Sequence, residues 1–268
     1  MKKNFKLGVI GCGFMSTAII KGAISSKILL PEQIYVSDIN VDSLNKIQSL
    51  GVSTTLNNVE LVNNSEMVLF AIKPQNLNDV LDSIKGANCK KFISIMAGIK
   101  KQKIKNTFPD GKVARCMPNT PCSIGSGAVG LDLSDFKCNR DKKFINSLLS
   151  SFAKVVVVDE DKLNAVTGIS GSSPAYFYLF LKGIIESGVK HGLSYNDAKS
   201  LAVATMIGAG KMVESNGEKS LDDLINAVCS KGGTTIEAIN VYNQSDLSKI
   251  TEKAIDACVH RASELENL

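Results

Sequence analysis

Short apolar runs alternate with longer stretches of helical period along the first 160 residues. Leu7, Val9 and Ile10 make the first run, and Ala18, Ile19 and Gly22 then fall on one side of a helix over 15–24. Further runs at 34–37, 66–72, 92–95, 113–117 and 155–158 predict strands, apolar enough to be buried in a parallel sheet. Strands interleaved with helices imply right-handed crossovers. Beyond Asp159 the character changes. No strand pattern appears between 162 and 265, and long helical patterns cover 175–189, 195–214 and 249–265. Pro174 is placed to start the first of these. Small residues recur at Ala202, Ala204, Gly208, Ala209 and Gly210, which fits close helix packing between subunits.

The first run leads into Gly11-Cys12-Gly13-Phe14-Met15-Ser16, a Gly-x-Gly-x-x-Ser turn between strand and helix. In that context such a turn points to dinucleotide binding. Gly11 permits the tight turn, Gly13 removes a side chain that would hold a pyrophosphate off the backbone, and the helix-start amides face the phosphates. The competing reading is a glycine turn that only packs the helix on the strand. Asp38 ends the second strand, about twenty residues on, where an acidic residue accepts bonds from the adenosine ribose. Ile39 follows it with no arginine nearby, which by itself favours NADH; alternatively, Asp38 caps the helix near Val41. Lys73-Pro74-Gln75, Met96-Ala97-Gly98 and Pro118-Asn119-Thr120-Pro121 follow later strands, on the side where such sheets bind ligands, although each also reads as ordinary turn chemistry. The expected fold is α/β: a Rossmann-type doubly wound parallel sheet over 1–160, then an all-α dimerisation and substrate domain over 161–268.

A second chemical stretch lies in that helical half. In Ser230-Lys231-Gly232-Gly233-Thr234-Thr235, two glycines before two threonines at a helix start form an anion nest suited to a small carboxylate. The alternative is a threonine-capped helix after a glycine turn.

Composition narrows the partners. The chain has 268 residues, 44% hydrophobic and 21% charged, with net charge +5 from 31 basic and 26 acidic residues. The densest basic stretch, 100–105, alternates with apolar residues and predicts a solvated helix face rather than a nucleic-acid footprint. Seven cysteines without a Cys-x-x-Cys pair, and only His191 and His260 besides, predict free thiols and no metal site. No apolar run reaches membrane-spanning length and no signal-peptide pattern opens the chain, so the cytoplasm is the expected location.

These pieces, in this order, resemble the pyrroline-5-carboxylate reductases, which make proline. The matching segments are Gly11-Cys12-Gly13-Phe14-Met15, Ala71-Ile72-Lys73-Pro74-Gln75, Ala97-Gly98, Met117-Pro118-Asn119-Thr120-Pro121, Val166-Thr167-Gly168-Ile169-Ser170-Gly171-Ser172-Ser173-Pro174-Ala175-Tyr176 and Ser230-Lys231-Gly232-Gly233-Thr234-Thr235. The resemblance implies binding of NADPH or NADH through residues 11–16, Ser37, Asp38, Asn57, Ala71, Ile72, Lys73, Pro74, Ile95, Met96, Ala97 and Asn119. It implies that Ser230, Gly232, Gly233, Thr234 and Thr235 hold the carboxylate of a cyclic imine. It also implies a homodimer of interlocked helical domains, or a larger assembly of such dimers, whose active site joins one chain's cofactor domain to the other's helical domain. Glu160 matches an acidic position of the family at the domain junction. Family members commonly accept NADPH, against the reading of Asp38, so the preference stays open. Two positions depart: Ser173 stands where the family usually has glycine, and Lys231 where it has proline.

Reducing a cyclic imine needs a hydride at carbon and a proton at nitrogen, and both histidines lie outside the motifs. The candidate polar group near the imine is the Thr167 hydroxyl, which as a helix residue equally fits a bond to backbone. Two rivals remain. One is a reductase of a 2-oxo or 2-hydroxy acid, for which Lys182 and Lys190 are the available basic groups; the other is a non-catalytic dinucleotide sensor, for which the two departures speak.

Overall fold

The computed structural model describes residues 4–266. The chain forms two compact units, one from the residues up to Pro174 together with those from Cys258 onward, the other Ala175–Ala257. The first unit therefore extends past the boundary at 160 drawn from the sequence, and the end of the last helix returns to it.

In that unit an eight-stranded sheet is built from β1 (Phe5–Ile10), β2 (Ile34–Ser37), β3 (Ser53–Thr55), β4 (Ser65–Phe70), β5 (Lys91–Ser94), β6 (Lys112–Pro118), β7 (Gly127–Asp132) and β8 (Ala153–Val157), in spatial order β3-β2-β1-β4-β5-β6-β7-β8. Helices α1 (Phe14–Ser25), α2 (Val41–Gln48), α3 (Asn58–Asn64), α4 (Leu77–Ser83), α5 (Lys101–Lys105) and α6 (Asn139–Ser150) connect the strands. Order reverses between β1 and β4, the mark of a doubly wound sheet.

Successive side chains of the strands feed two cores. Leu7, Val9, Met67 and Leu69 pack with Ile19 and Ile20 of α1 and Ile145 of α6. Ile10, Val68 and Phe70 pack on the other face with Leu61 of α3, Leu81 of α4 and Ile104 of α5. Burial on both faces is why these strands read as unbroken apolar runs. Each such side chain contributes roughly 1.5–3 kcal/mol.

The sheet differs from expectation at two strands. β3 is a half-buried edge of three polar residues, too short and too polar to leave a periodic signal. β7 runs antiparallel to β6, because the turn through Thr120–Ile124 and the left-handed Gly125 is too short for a crossover helix. The basic stretch is corrected as well. Lys101 is buried, its ammonium held by Asp132, Ser134 and Asp135, while Lys103 stays exposed.

After β8 the chain is helical: α7 (Leu163–Val166), a π-helical turn (Thr167–Gly171), α8 (Ser173–Lys190), α9 (Tyr195–Ser215), α10 (Leu221–Val228), α11 (Thr234–Gln244) and α12 (Leu247–Leu265). Within the second unit only Ile185, Ala198 and Ala202 form a buried cluster, with Leu181 against it. Phe177, Leu179, Leu201, Ile207 and Val241 are each more than half exposed. An apolar surface of that extent marks an interaction face.

Candidate active site

Hydrogen bonds across the sheet bring four strand ends level. Gly11 donates its N–H to the Ser37 carbonyl (2.8 Å), Ala71 to that of Ile10 (2.9 Å) and Ile95 to that of Phe70 (3.2 Å). The residues that leave β2, β1, β4 and β5 thus share one edge, at the β1/β4 switch point where doubly wound sheets hold ligands. Gly11 has φ +100°, and a Cβ there would lie 2.5 Å from the Ala71 carbonyl oxygen, so only glycine fits. A Cβ on Gly13 would meet nothing within 4 Å, which leaves the approach to this backbone open. Helix α1 starts directly after it with no side-chain cap and no acidic residue in its first turn. Free amides at an uncapped helix start, reached across an open glycine, fit a pyrophosphate. Ser16 turns inward, its Oγ donating to the Gly13 carbonyl (3.1 Å), and Cys12 donates its thiol to the Ser43 carbonyl. Burial and the Asp38 charge push that thiol's pKa up, which disfavours the reactive thiolate.

At the end of β2, Asp38 accepts from the Cys12 N–H through Oδ2 and from the Asn40 N–H through Oδ1 (2.8 Å). The cap of α2 is Asn40, whose Oδ1 accepts from Ser43 N–H (3.0 Å), so Asp38 is not the capping residue. Ser37 is buried and donates to Asn58 Oδ1 (2.7 Å), a partner the sequence reading missed. Asn57 caps α3 through Glu60 N–H (3.1 Å). Lys73, exposed, leads into a 3₁₀ turn over Pro74–Asn76, and the Ile72 side chain lies against Gly11. After β5, Ile95 and Ala97 are half-buried and Met96 is buried; Gly98 has φ +71°, and Leu265 of α12 occupies the space where its Cβ would point.

The end of β6 is tied to the π-helical turn. Pro174 has no N–H to give the Ser170 carbonyl four residues back, and Asn119 Nδ2 donates to it instead (3.1 Å). The Asn119 Oδ1 accepts from Ala128 N–H of β7 (3.0 Å). Its side chain is thus committed to the fold. Thr167 Oγ1 donates to the Leu163 carbonyl (2.9 Å), so the backbone bond foreseen for it is made, and its lone pairs remain to accept. Ser172 N–H closes the π turn on the Thr167 carbonyl, and Ser173 Oγ donates to the Gly168 carbonyl (3.2 Å). Ser173 is therefore accommodated; its buried hydroxyl has a partner.

Glu160 faces the interior charges. It accepts from Lys101 N–H (2.7 Å) and pairs with Arg115 (3.5 Å), which also pairs with Glu266 (2.8 Å). Burial works against the Glu266 charge, but the Arg115 guanidinium, Asn164 and Lys100 hold its carboxyl below the usual range. The sequence reading missed Arg115 and Glu266, which lie far apart in the chain. His260 pairs with Glu264 on the exposed face of α12, and His191 follows the end of α8. All seven cysteines are free, and burial pushes the Cys116 thiol up to about 12.

In the second unit, Gly233 N–H bonds the Ser230 carbonyl (2.9 Å) and Gly232 takes φ +73°, closing a turn directly before α11. The N-cap of α11 is Gly233, with no side-chain cap bond, so the threonines do not cap it. The amides that begin at Thr234 and the hydroxyls of Thr234 and Thr235 stand at an uncapped helix start, and Lys231 is exposed. Thr235 is half-buried and Thr234 exposed.

A family profile described as pyrroline-5-carboxylate reductase dimerisation matches residues 160–265, and one described as coenzyme F420-dependent NADP oxidoreductase matches residues 6–98. Pyrroline-5-carboxylate reductase of Haemophilus influenzae is 36% identical over 266 residues, 98% of each chain. Among solved structures, the Coxiella burnetii pyrroline-5-carboxylate reductase superposes with a TM-score of 0.91 at 30% identity, over 98% of this chain and 99% of that one. Plasmodium falciparum pyrroline carboxylate reductase, solved with NADP bound, gives 0.87 at 27% identity over 99% and 100%. With identity of this level sustained along both chains, the protein belongs to the pyrroline-5-carboxylate reductase family.

Proposed function

We propose that the chain reduces 1-pyrroline-5-carboxylate to L-proline with NADPH or NADH, the last step of proline synthesis. The observation that carries the reading is the open, uncapped glycine turn at the sheet's switch point, in a chain whose full-length relatives are reductases of this substrate. A bound reduced dinucleotide supplies the hydride to the imine carbon. The chain's own work is to bind and orient. The turn at 230–235 takes the substrate carboxylate on helix-start amides and the Thr234 and Thr235 hydroxyls. Thr167, its own proton already given to Leu163, accepts the N–H of the protonated imine. The nitrogen therefore brings its proton from solution, and the C=N π pair becomes the amine lone pair as hydride adds at carbon.

The second reading, a sensor without activity, loses its support: Ser173 fits the π turn and Lys231 is exposed. A 2-oxo acid reductase fares no better, because Lys182 and Lys190 are both exposed and Lys182 pairs with Glu186. The exposed apolar residues of α8 and α9 support a homodimer in which one subunit's dinucleotide site serves the partner's helical domain. The test is Thr235→Ala. It is expected to raise the KM for pyrroline carboxylate about tenfold, the equivalent of one charge-assisted hydrogen bond, and to leave the dinucleotide KM within about twofold. An equal rise in both would overturn the assignment of this turn.

A further inference from the structure

We infer that the end of β2 selects NADH over NADPH, with Asp38 as the residue that discriminates. The inference rests on the dinucleotide-binding reading of this edge and goes beyond it. Three observations carry it. First, the Asp38 carboxylate is fixed by two backbone amides, those of Cys12 and Asn40, so its charge stays where the turn puts it. It cannot swing aside for a phosphate without releasing both bonds. Second, the hydroxyl beside it is engaged: Ser37 Oγ gives its proton to Asn58, so it has none to offer a phosphate oxygen. Third, the segments that carry the ends of β2 and β3, residues 34–45 and 53–64, contain no lysine or arginine. Their other charges are acidic, Asp42 and Glu60, and Glu60 is itself held by Tyr35 and Thr55.

An unmodified ribose presents hydroxyl donors that a fixed carboxylate can accept. A 2′-phosphate presents a charge of about −2 and acceptor oxygens only. Set against the fixed Asp38 charge, it is repelled, and like charges at contact distance near a protein surface discriminate by about 100-fold or more.

The experiment titrates the protein with NADH and with NADPH, following nicotinamide fluorescence, and measures kcat/KM for both with pyrroline carboxylate. NADH is expected to bind at least about tenfold more tightly and to give the higher kcat/KM by about 100-fold. Two variants separate the cause from a loosened turn. Asp38→Ser removes the charge. Ile39→Arg adds a cation at a side chain that is 92% exposed and leaves the Asp38 bonds in place. Each is expected to narrow the NADH/NADPH ratio about tenfold, and Ile39→Arg to do so with an unchanged melting temperature. Equal or tighter binding of NADPH by the unaltered protein would overturn the inference, as would a ratio that neither variant moves. Selective binding of NADH without turnover of the imine would support the inference and overturn the reductase reading.

Discussion

Removing the buried ammonium of Lys101 tests the interior charges that close the far side of the sheet. Its side chain is 8% exposed, and its Nζ touches Asp132, Ser134 Oγ (2.6 Å) and Asp135 (3.4 Å), with Glu160 at 3.9 Å. In Lys101→Met the stem still fills its space, but the cation is gone. Two of the three carboxylates keep other partners: Asp135 has Lys105 at 3.2 Å, and Glu160 has Arg115. Asp132 loses its cation and is 2% exposed, so the loss is that of one buried pair broken from one side, roughly 3–5 kcal/mol. For a unit of this size that lowers the calorimetric transition by about 6–20 °C.

The pH dependence has a definite sign. Burial opposes the charged form of Asp135, yet the Val113 N–H, Lys101 and Lys105 hold its pKa below the ordinary 3.8. Its contribution is present above that value and is lost as pH falls through the lower folded one. Burial likewise opposes the charged form of Lys101, but its hydrogen bond to Asp132 and the surrounding carboxylates raise its pKa above 10.5. That contribution is present below 10.5 and is lost as pH rises through the raised value. The gap between native and variant is therefore widest between roughly pH 5 and 10 and closes at both ends. Scanning calorimetry across that range reads it. A drop below about 2 °C at pH 7, or a gap that widens on acidification, would refute the argument.

Gly11→Ala forces a β-carbon to 2.5 Å from the Ala71 carbonyl at φ +100°. Strain of about 1–3 kcal/mol moves the turn, and the dinucleotide Kd, measured by fluorescence titration, is expected to rise at least about tenfold. The pyrroline carboxylate KM, which the proposed function assigns to the turn at 230–235, is expected to stay within about twofold. Ser173→Gly removes the bond to Gly168 and places glycine in the first turn of α8. The expected loss is about 1–2 kcal/mol in urea unfolding with kcat unchanged, because Thr167 keeps its bond to Leu163.

Where a residue's environment is set by its neighbours in sequence, the pattern was readable. Leu7, Val9 and Ile10 run straight into a glycine turn and a helix, and that local grammar gives strand, uncapped helix start and connection together. β7 escaped because its glycines resemble turn signals. Gly130 is there for another reason: a Cβ would meet the Val166 side chain at 2.6 Å, so the strand needs a bare backbone where α7 packs. Lys101 escaped because the carboxylates that bury it arrive some thirty residues later on β7 and its following turn. No local period encodes a partner at that distance.

The same limit explains Asn119. Read along the chain, Met117-Pro118-Asn119-Thr120-Pro121 and Ser172-Ser173-Pro174 are two turns with separate tasks. In space they are one device. Pro174 starts α8 and, lacking an N–H, strips the Ser170 carbonyl of its helical donor; Asn119 supplies that donor and takes the Ala128 N–H with its other end. The π turn that carries Thr167 is thereby pinned to the end of β6 and to β7. A proline that starts a helix and an asparagine fifty-five residues before it thus place one hydroxyl, and neither motif discloses that by itself.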